Sequence, residues 1–225
     1  MQKDTNDFLR EKINKALRDL NLEKGQRFIV KEVSKNFDDP FYLLISIILS
    51  QNTTDRNAIE AFLNLVERGL DFRKLNSMSL GELEEIIRIS GLYKSKAETI
   101  KRLAGFLSKD ELFLKNLCKK PPEEARRELT SIKGIGKKTA DLFLSVYCNM
   151  PLFPVDRHIK RVTERLLDKK MDYEEVSQFW REVLDRNLLK EAHYKLIYVG
   201  RKFCRPKGEK CDLCPLADIC RWRSE

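Results

Sequence analysis

The run Ile132-Lys133-Gly134-Ile135-Gly136-Lys137-Lys138-Thr139-Ala140 constrains this chain more than any other stretch. Two glycines one residue apart permit a sharp turn that side chains would resist. Apolar-periodic segments lie on both sides, so the run reads as helix, tight hairpin, helix. The turn leaves backbone N–H groups facing outward beside the positive end of the second helix, which suits a phosphate. It is not a Walker loop, which needs G-x-x-x-x-G-K-[ST], and no apolar strand leads into it as a dinucleotide fingerprint requires.

The rest of the chain repeats the helical period. Phe8, Ile13, Leu17 and Leu20 share one face of a helix over 5–21, and Asp38-Asp39-Pro40 opens the dense apolar run FYLLISIILS. Thr54 or Asp55 can cap the helix that follows, and others are expected from Met78 to Gly91, from Lys96, from Pro121 into the hairpin, through IKRVTERLL, and over 172–186 and 190–202. No alternating run has hairpin turns on both sides, so the reading is all-α. The most natural boundary is Met150–Pro154, where Pro151 and Pro154 punctuate the chain. With 225 residues there is material for one large or two modest cores, and a formal net charge of +9 suits a polyanionic partner. No stretch approaches a membrane span and the N-terminus lacks an apolar signal core, so the expected location is cytoplasmic, at the nucleoid in a prokaryote.

Lysines 133, 137 and 138 cluster at the hairpin, and with Gly134 and Gly136 they make a clamp for the DNA backbone that carries no sequence preference. Lys138 falls in the first helical turn, where the helix terminus and neighbouring cations favour the uncharged amine. Such an amine can attack a sugar C1′ and form a Schiff base. Eighteen residues on, Asp156 offers a carboxylate that could stabilise the cationic sugar or accept a proton. Spacing alone equally allows Lys138 to be one more phosphate contact and Asp156 to be a helix cap.

Of the six cysteines, Cys118 and Cys148 stand alone, while Cys204, Cys211, Cys214 and Cys220 form C-x6-C-x2-C-x5-C. Four such thiols in an intracellular chain suggest Zn²⁺ or an iron–sulfur cluster, and the wide arms favour a cubane cluster held by a loop. The x6 loop carries Arg205, Lys207 and Lys210, a basic projection toward phosphate.

LTSIKGIGKKTAD, then PVDRH, then the cysteine spacing resemble the endonuclease III branch of the helix-hairpin-helix DNA glycosylases. Ile89 to Glu98, Leu49-Ser50-Gln51 with Thr54-Asp55, and Gly200-Arg201 add to the likeness, which runs from about residue 41 to residue 220. The resemblance implies two α-helical domains: a six-helix barrel over 37–150, with the helix-hairpin-helix at 125–148, and an iron–sulfur domain made from 1–36 and 151–225, holding a [4Fe-4S] cluster on the four cysteines. It also implies a monomeric bifunctional DNA glycosylase and abasic-site lyase of base-excision repair. Its partner would be double-stranded DNA with a damaged or mismatched base, or an abasic site. The family lysine and aspartate fall on Lys138 and Asp156, Leu92 on the wedge that fills the gap left by a flipped nucleotide, and His158 on a histidine near the lesion.

Three positions depart from the family pattern. Ser50-Gln51-Asn52-Thr53-Thr54-Asp55 replaces S-A-Q-A-T-D, so Asn52 stands at the glutamine opposite the lesion, with Gln51 one position earlier. Lys133 replaces the usual proline and Arg157 the usual threonine. These bear on substrate preference rather than chemistry. Oxidised pyrimidines are the expected targets, with thymine or uracil mispaired with guanine as the alternative, and a non-catalytic DNA-binding module with a structural metal as the third reading.

Overall fold

The computed structural model describes residues 2–23 and 25–222, with residues 2–6 as backbone only; residues 1, 24 and 223–225 lie outside the described residues. Its regular elements are all helical. In chain order they are α1 (Gln2–Asp19), α2 (Ile29–Asn36), α3 (Pro40–Leu49), α4 (Asp55–Val66), α5 (Phe72–Ser77), α6 (Leu80–Ile86), α7 (Tyr93–Leu107), α8 (Phe113–Leu117), α9 (Pro122–Thr130), α10 (Lys137–Tyr147), α11 (Arg157–Leu167), α12 (Tyr173–Val183) and α13 (Leu189–Lys202). Short 3-10 turns stand at Arg88–Ser90, Cys211–Leu213 and Ala217–Ile219. No helix among the described residues is long and apolar enough to cross a membrane.

Local chemistry sets the helix starts. Asp39 accepts the Phe41 N–H and Pro40 opens α3, Thr54 rather than Asp55 caps α4, and Ser79 with Glu82 forms a full capping box on α6. The short helices α2, α5 and α8 are absent from the sequence reading, because six or so residues barely complete the period by which a helix is recognised.

The chain forms two compact units. One comprises residues 27–150, and the other is made from both ends, residues 1–26 and 151–225. In the first, α3 is the central rod, with Phe41, Leu43, Leu44, Ile45, Ile47, Ile48 and Leu49 all buried. It packs against α2, α4, α7 and α10, and α10 also lies against α9. A disulfide joins Cys118, at the end of α8, to Cys148, at the end of α10. The sequence reading of these two as solitary is therefore corrected. Thirty residues apart along the chain, they are brought together by the fold. In the second unit, α11 packs on α13 and α1 on α12. Trp180 is wholly buried there and donates its indole N–H to Thr163 Oγ1 at 2.7 Å.

The expected iron–sulfur domain is overturned, although the all-α class stands. Among the described residues no group of three or more His, Cys, Asp or Glu is arranged to hold a metal ion. Two of the four sulfurs meet Arg165: Cys204 Sγ accepts from its Nη1 at 3.5 Å, and the Cys220 thiol donates to its carbonyl at 3.6 Å. Burial pushes the Cys214 thiol up to about 11, with the neighbouring Cys204, Cys220 and Cys211 adding to the rise and a backbone hydrogen bond at Leu216 opposing it. Metal ligation requires thiolates converging on one point. The loop from Cys204 to Cys211 is closed by the Lys210 N–H on the Phe203 carbonyl, at 2.9 Å, and by Arg165 Nη1 on the Arg205 carbonyl, at 2.7 Å.

Candidate active site and nucleic-acid interface

The hairpin is built from the inside outward. Ile132 and Ile135 are buried and anchor the turn, with the Ile135 N–H on the Ile132 carbonyl at 3.0 Å. Gly134 has φ +102, a backbone state that L side chains rarely adopt. A Cβ there would also meet Thr99 Oγ1 of α7 at 2.0 Å, so α7 lies directly against the turn. Gly136 is the N-cap of α10, with no side-chain cap, so the first turn of α10 keeps N–H groups for an anion. Lys133 and Lys137 are exposed and Lys138 is half-buried in that first turn. Behind the turn, Asp141 is completely buried and receives Arg126 of α9 through two contacts, Nε at 2.7 Å and Nη2 at 3.0 Å. This bidentate pair fixes the angle between the helices that flank the hairpin.

Two further loops of the same unit carry the DNA-facing residues expected from the sequence. Asn52 and Leu92 both adopt left-handed backbone, with φ +49 and +47. For leucine that state is strained, and Leu92 is 61% exposed as well. An apolar side chain held outward at conformational cost is the arrangement a wedge requires. Gly91, also at positive φ, precedes it, and its place for a Cβ is 4.0 Å from Thr53 Oγ1, so the two loops are neighbours. Gln51 turns inward instead: its Nε2 donates to Thr139 Oγ1 at 3.1 Å. Gln51 therefore braces the residue after Lys138, and Asn52 is the exposed amide of the pair.

Lys96 is the residue that sequence reasoning missed. It lies in the first turn of α7, only 2% exposed, and its ammonium donates to the Leu49 carbonyl at 2.8 Å and the Ser90 carbonyl at 2.6 Å. Burial lowers it to about 8. The only signal in the sequence was a lysine at a position where helical periodicity calls for a buried side chain, between Leu92 and Ile100.

In the other unit, Asp156 is the N-cap of α11. Its Oδ1 accepts the N–H groups of His158 and Ile159, each at 2.8 Å. Both bonds fall on one oxygen, so the second keeps its lone pairs for another partner. His158 is half-buried, and burial pushes its pKa below the usual imidazole value; Asp156 opposes the shift, while Arg161, Arg201 and Arg157 add to it. Arg161 Nη2 lies 3.1 Å from His158 Nδ1. A guanidinium only donates, so Nδ1 accepts and the ring proton sits on Nε2. Gly200 makes this possible, because a Cβ there would stand 2.7 Å from that of His158. Arg205, Lys207 and Lys210 are all exposed on their loop. Lys138 belongs to the unit of residues 27–150 and Asp156 to the other. The four cysteines form no metal centre, so the expected [4Fe-4S] cofactor falls with the site.

A glycine turn between two helices, with an uncapped helix start and exposed lysines, defines a helix-hairpin-helix protein. Residues 45–186 match the HhH-GPD superfamily base excision DNA repair protein, and the chain belongs to that family. Endonuclease III of Sulfolobus acidocaldarius is 32% identical over 201 residues, 88% of each chain, and endonuclease III of Escherichia coli is 29% identical over 191 residues, 84% of this chain and 87% of that one. Among solved structures, a non-covalent endonuclease III–DNA complex matches with a TM-score of 0.73 and 28% identity, covering 98% of this chain and 95% of the other. A trapped endonuclease III–DNA covalent intermediate gives the same TM-score at 27% identity, covering 98% and 96%.

Proposed function

We propose that this chain is a bifunctional DNA glycosylase and abasic-site lyase of base-excision repair, that oxidised pyrimidines in duplex DNA are its substrates, and that Lys138 and Asp156 carry the reaction. The observation that supports it most is Lys138 itself: a half-buried amine in the first turn of α10, two residues past the phosphate-holding glycine turn. Relatives of the same family include an endonuclease III caught as a covalent DNA intermediate.

Backbone N–H groups at Gly134–Lys137, with Lys133 and Lys137, hold the DNA backbone. Leu92 enters the stack where the damaged nucleotide has left it, and Asn52 faces the opposite base. Lys138 Nζ, as the uncharged amine, forms a bond to C1′ while the glycosidic C–N bond breaks and its electron pair leaves with the base, which takes up a proton. Asp156 stabilises the positive charge on the sugar through its ionised carboxylate. The ring C1′–O4′ bond then opens to give the imine. Loss of a C2′ proton, with its electron pair moving to expel the C3′ oxygen, cuts the strand 3′ to the lesion. His158 donates its Nε2–H to DNA near the reacting sugar, and Arg205, Lys207 and Lys210 meet phosphates further along. The protein works as a monomer in the cytoplasm.

Borohydride trapping on a panel of lesion duplexes tests this. Wild-type protein is expected to trap on thymine glycol opposite adenine, and Lys138→Gln to lose trapping at least a thousandfold while its DNA affinity stays within about threefold. Trapping that survives in Lys138→Gln removes the lysine from this role. Trapping confined to G·T and G·U duplexes replaces oxidised pyrimidines with mismatches as the substrate.

A further inference from the structure

The buried ammonium of Lys96 has no part in the chemistry above, yet its position is doubly unfavourable. Burial penalises its charge, and a cation in the first turn of a helix opposes the helix dipole. What it gains is specific. Leu49 is the last residue of α3 and leads through Ser50 and Gln51 to Asn52; Ser90 ends a 3-10 turn and leads through Gly91 to Leu92. One ammonium thus takes the terminal carbonyls of both segments, at 2.8 and 2.6 Å. The backbone N–H of Lys96 also returns to the Leu92 carbonyl at 3.1 Å, so the wedge residue is tied from both sides. Asn52 and Leu92 stand close to these anchors in left-handed backbone, a state that asparagine tolerates but that in leucine is strained and persists only when the surroundings over-determine it.

We propose that Lys96 is a positioning residue that locks the Asn52 loop to the Leu92 loop, so that the amide and the wedge enter the duplex together at a fixed separation. This rests on the reading of the chain as a base-flipping glycosylase. The energy of unstacking a paired nucleotide must come from side chains inserted in concert. An uncoupled pair would still bind DNA but would open it poorly.

The step most affected is extrusion of a base that is still stacked. An abasic site has no base to extrude, so its cleavage depends less on the lock. The test compares wild type, Lys96→Met and Lys96→Arg in three measurements. These are single-turnover release of thymine glycol from duplex DNA, cleavage of a preformed abasic site, and fluorescence of 2-aminopurine placed opposite the lesion. For Lys96→Met, base release is expected to fall about thirtyfold and the fluorescence rise on binding to be lost, while abasic-site cleavage falls by no more than about threefold. Lys96→Arg, which keeps a cationic donor, is expected to recover part of the release rate and of the fluorescence.

Equal losses in both reactions would mean a general structural role and overturn the proposal, as would no loss in either. If Lys96→Met does not fold, shown by loss of its cooperative unfolding transition, Lys96→Arg decides the matter: base release and fluorescence reduced more than abasic-site cleavage support the lock, and equal reductions overturn it. A wild-type protein that neither releases base nor traps with borohydride fails earlier, and rejects the reaction itself rather than the lock.

Discussion

Asp156 holds two jobs that a substitution can separate. Its Oδ1 closes the first turn of α11 by accepting two backbone N–H groups, and its charge is what the proposed reaction uses. Asparagine caps a helix about as well as aspartate but carries no charge, whereas alanine does neither. Asp156→Asn is therefore expected to keep the stability of the wild type within a few tenths of a kcal/mol, and Asp156→Ala to lose about 1 kcal/mol, by denaturant unfolding. Both should lose borohydride trapping on a lesion duplex to a similar degree. If Asp156→Asn traps as well as wild type, the residue is a cap and nothing more. The sequence presented both roles because each asks for the same residue in the same place. What it did not disclose is contact across the fold. Gln51 and Asn52 are adjacent amides in a motif, and only the Thr139 hydroxyl at 3.1 Å shows that Gln51 braces the hairpin helix while Asn52 faces outward. Lys96 was harder still, one of 44 basic residues, distinguished by two carbonyls, that of nearby Ser90 and that of Leu49, far from it in sequence.

Elements were legible in proportion to their length and their caps. The ten residues of α3 follow the Asp39 cap, open on Pro40 and are apolar but for Tyr42 and Ser46, so start, extent and burial could all be read. The five residues of α8 give no period, and they are held by packing and by the bond from Cys118 to Cys148. That bond ties the end of α8 to the end of α10, the helix that bears Lys138, and closes a loop with a sequence separation of 30. Cross-linking a loop of that length removes entropy from the unfolded chain worth about 3–4 kcal/mol. Reduction with dithiothreitol, or replacement of both cysteines by alanine, is expected to lower unfolding stability by about that amount. Lys138 depends on nearer supports as well: the Arg126–Asp141 pair between α9 and α10, and the seat of Gly134 on Thr99. Trapping measured well below the unfolding temperature should therefore survive reduction. A stability unchanged by dithiothreitol would mean that the cross-link does not form in solution.

At the scale of the whole molecule, a net charge of +9 points to DNA but overstates how much of the surface serves it. Several lysines are spent on the protein's own carbonyls: Lys74 on Gly69, Lys101 on Leu75, Asn76 and Met78, and Lys195 on Leu17 and Arg18. In each case an ammonium closes the end of a turn or helix, where the free carbonyls concentrate negative charge. The cysteines teach a related lesson. Their spacing places four thiols close along the chain, but two of them, Cys204 and Cys220, meet Arg165, a neighbour that no spacing encodes. Charge and cysteine counts alike describe capacity, and the fold decides allocation. This can be measured with two substitutions that remove one positive charge each. Lys133 is exposed on the hairpin, whereas Lys101 is bound to three carbonyls. Each lysine that neutralises a phosphate contributes about 0.9 to the slope of log affinity against log salt. Lys133→Ala is expected to flatten that slope by about 0.9 and to weaken binding to undamaged duplex equally across sequences. Lys101→Met alters the net charge as much and is expected to leave the slope unchanged. Equal slope changes in the two variants would mean that DNA responds to total charge, and that the hairpin is not where the backbone is held.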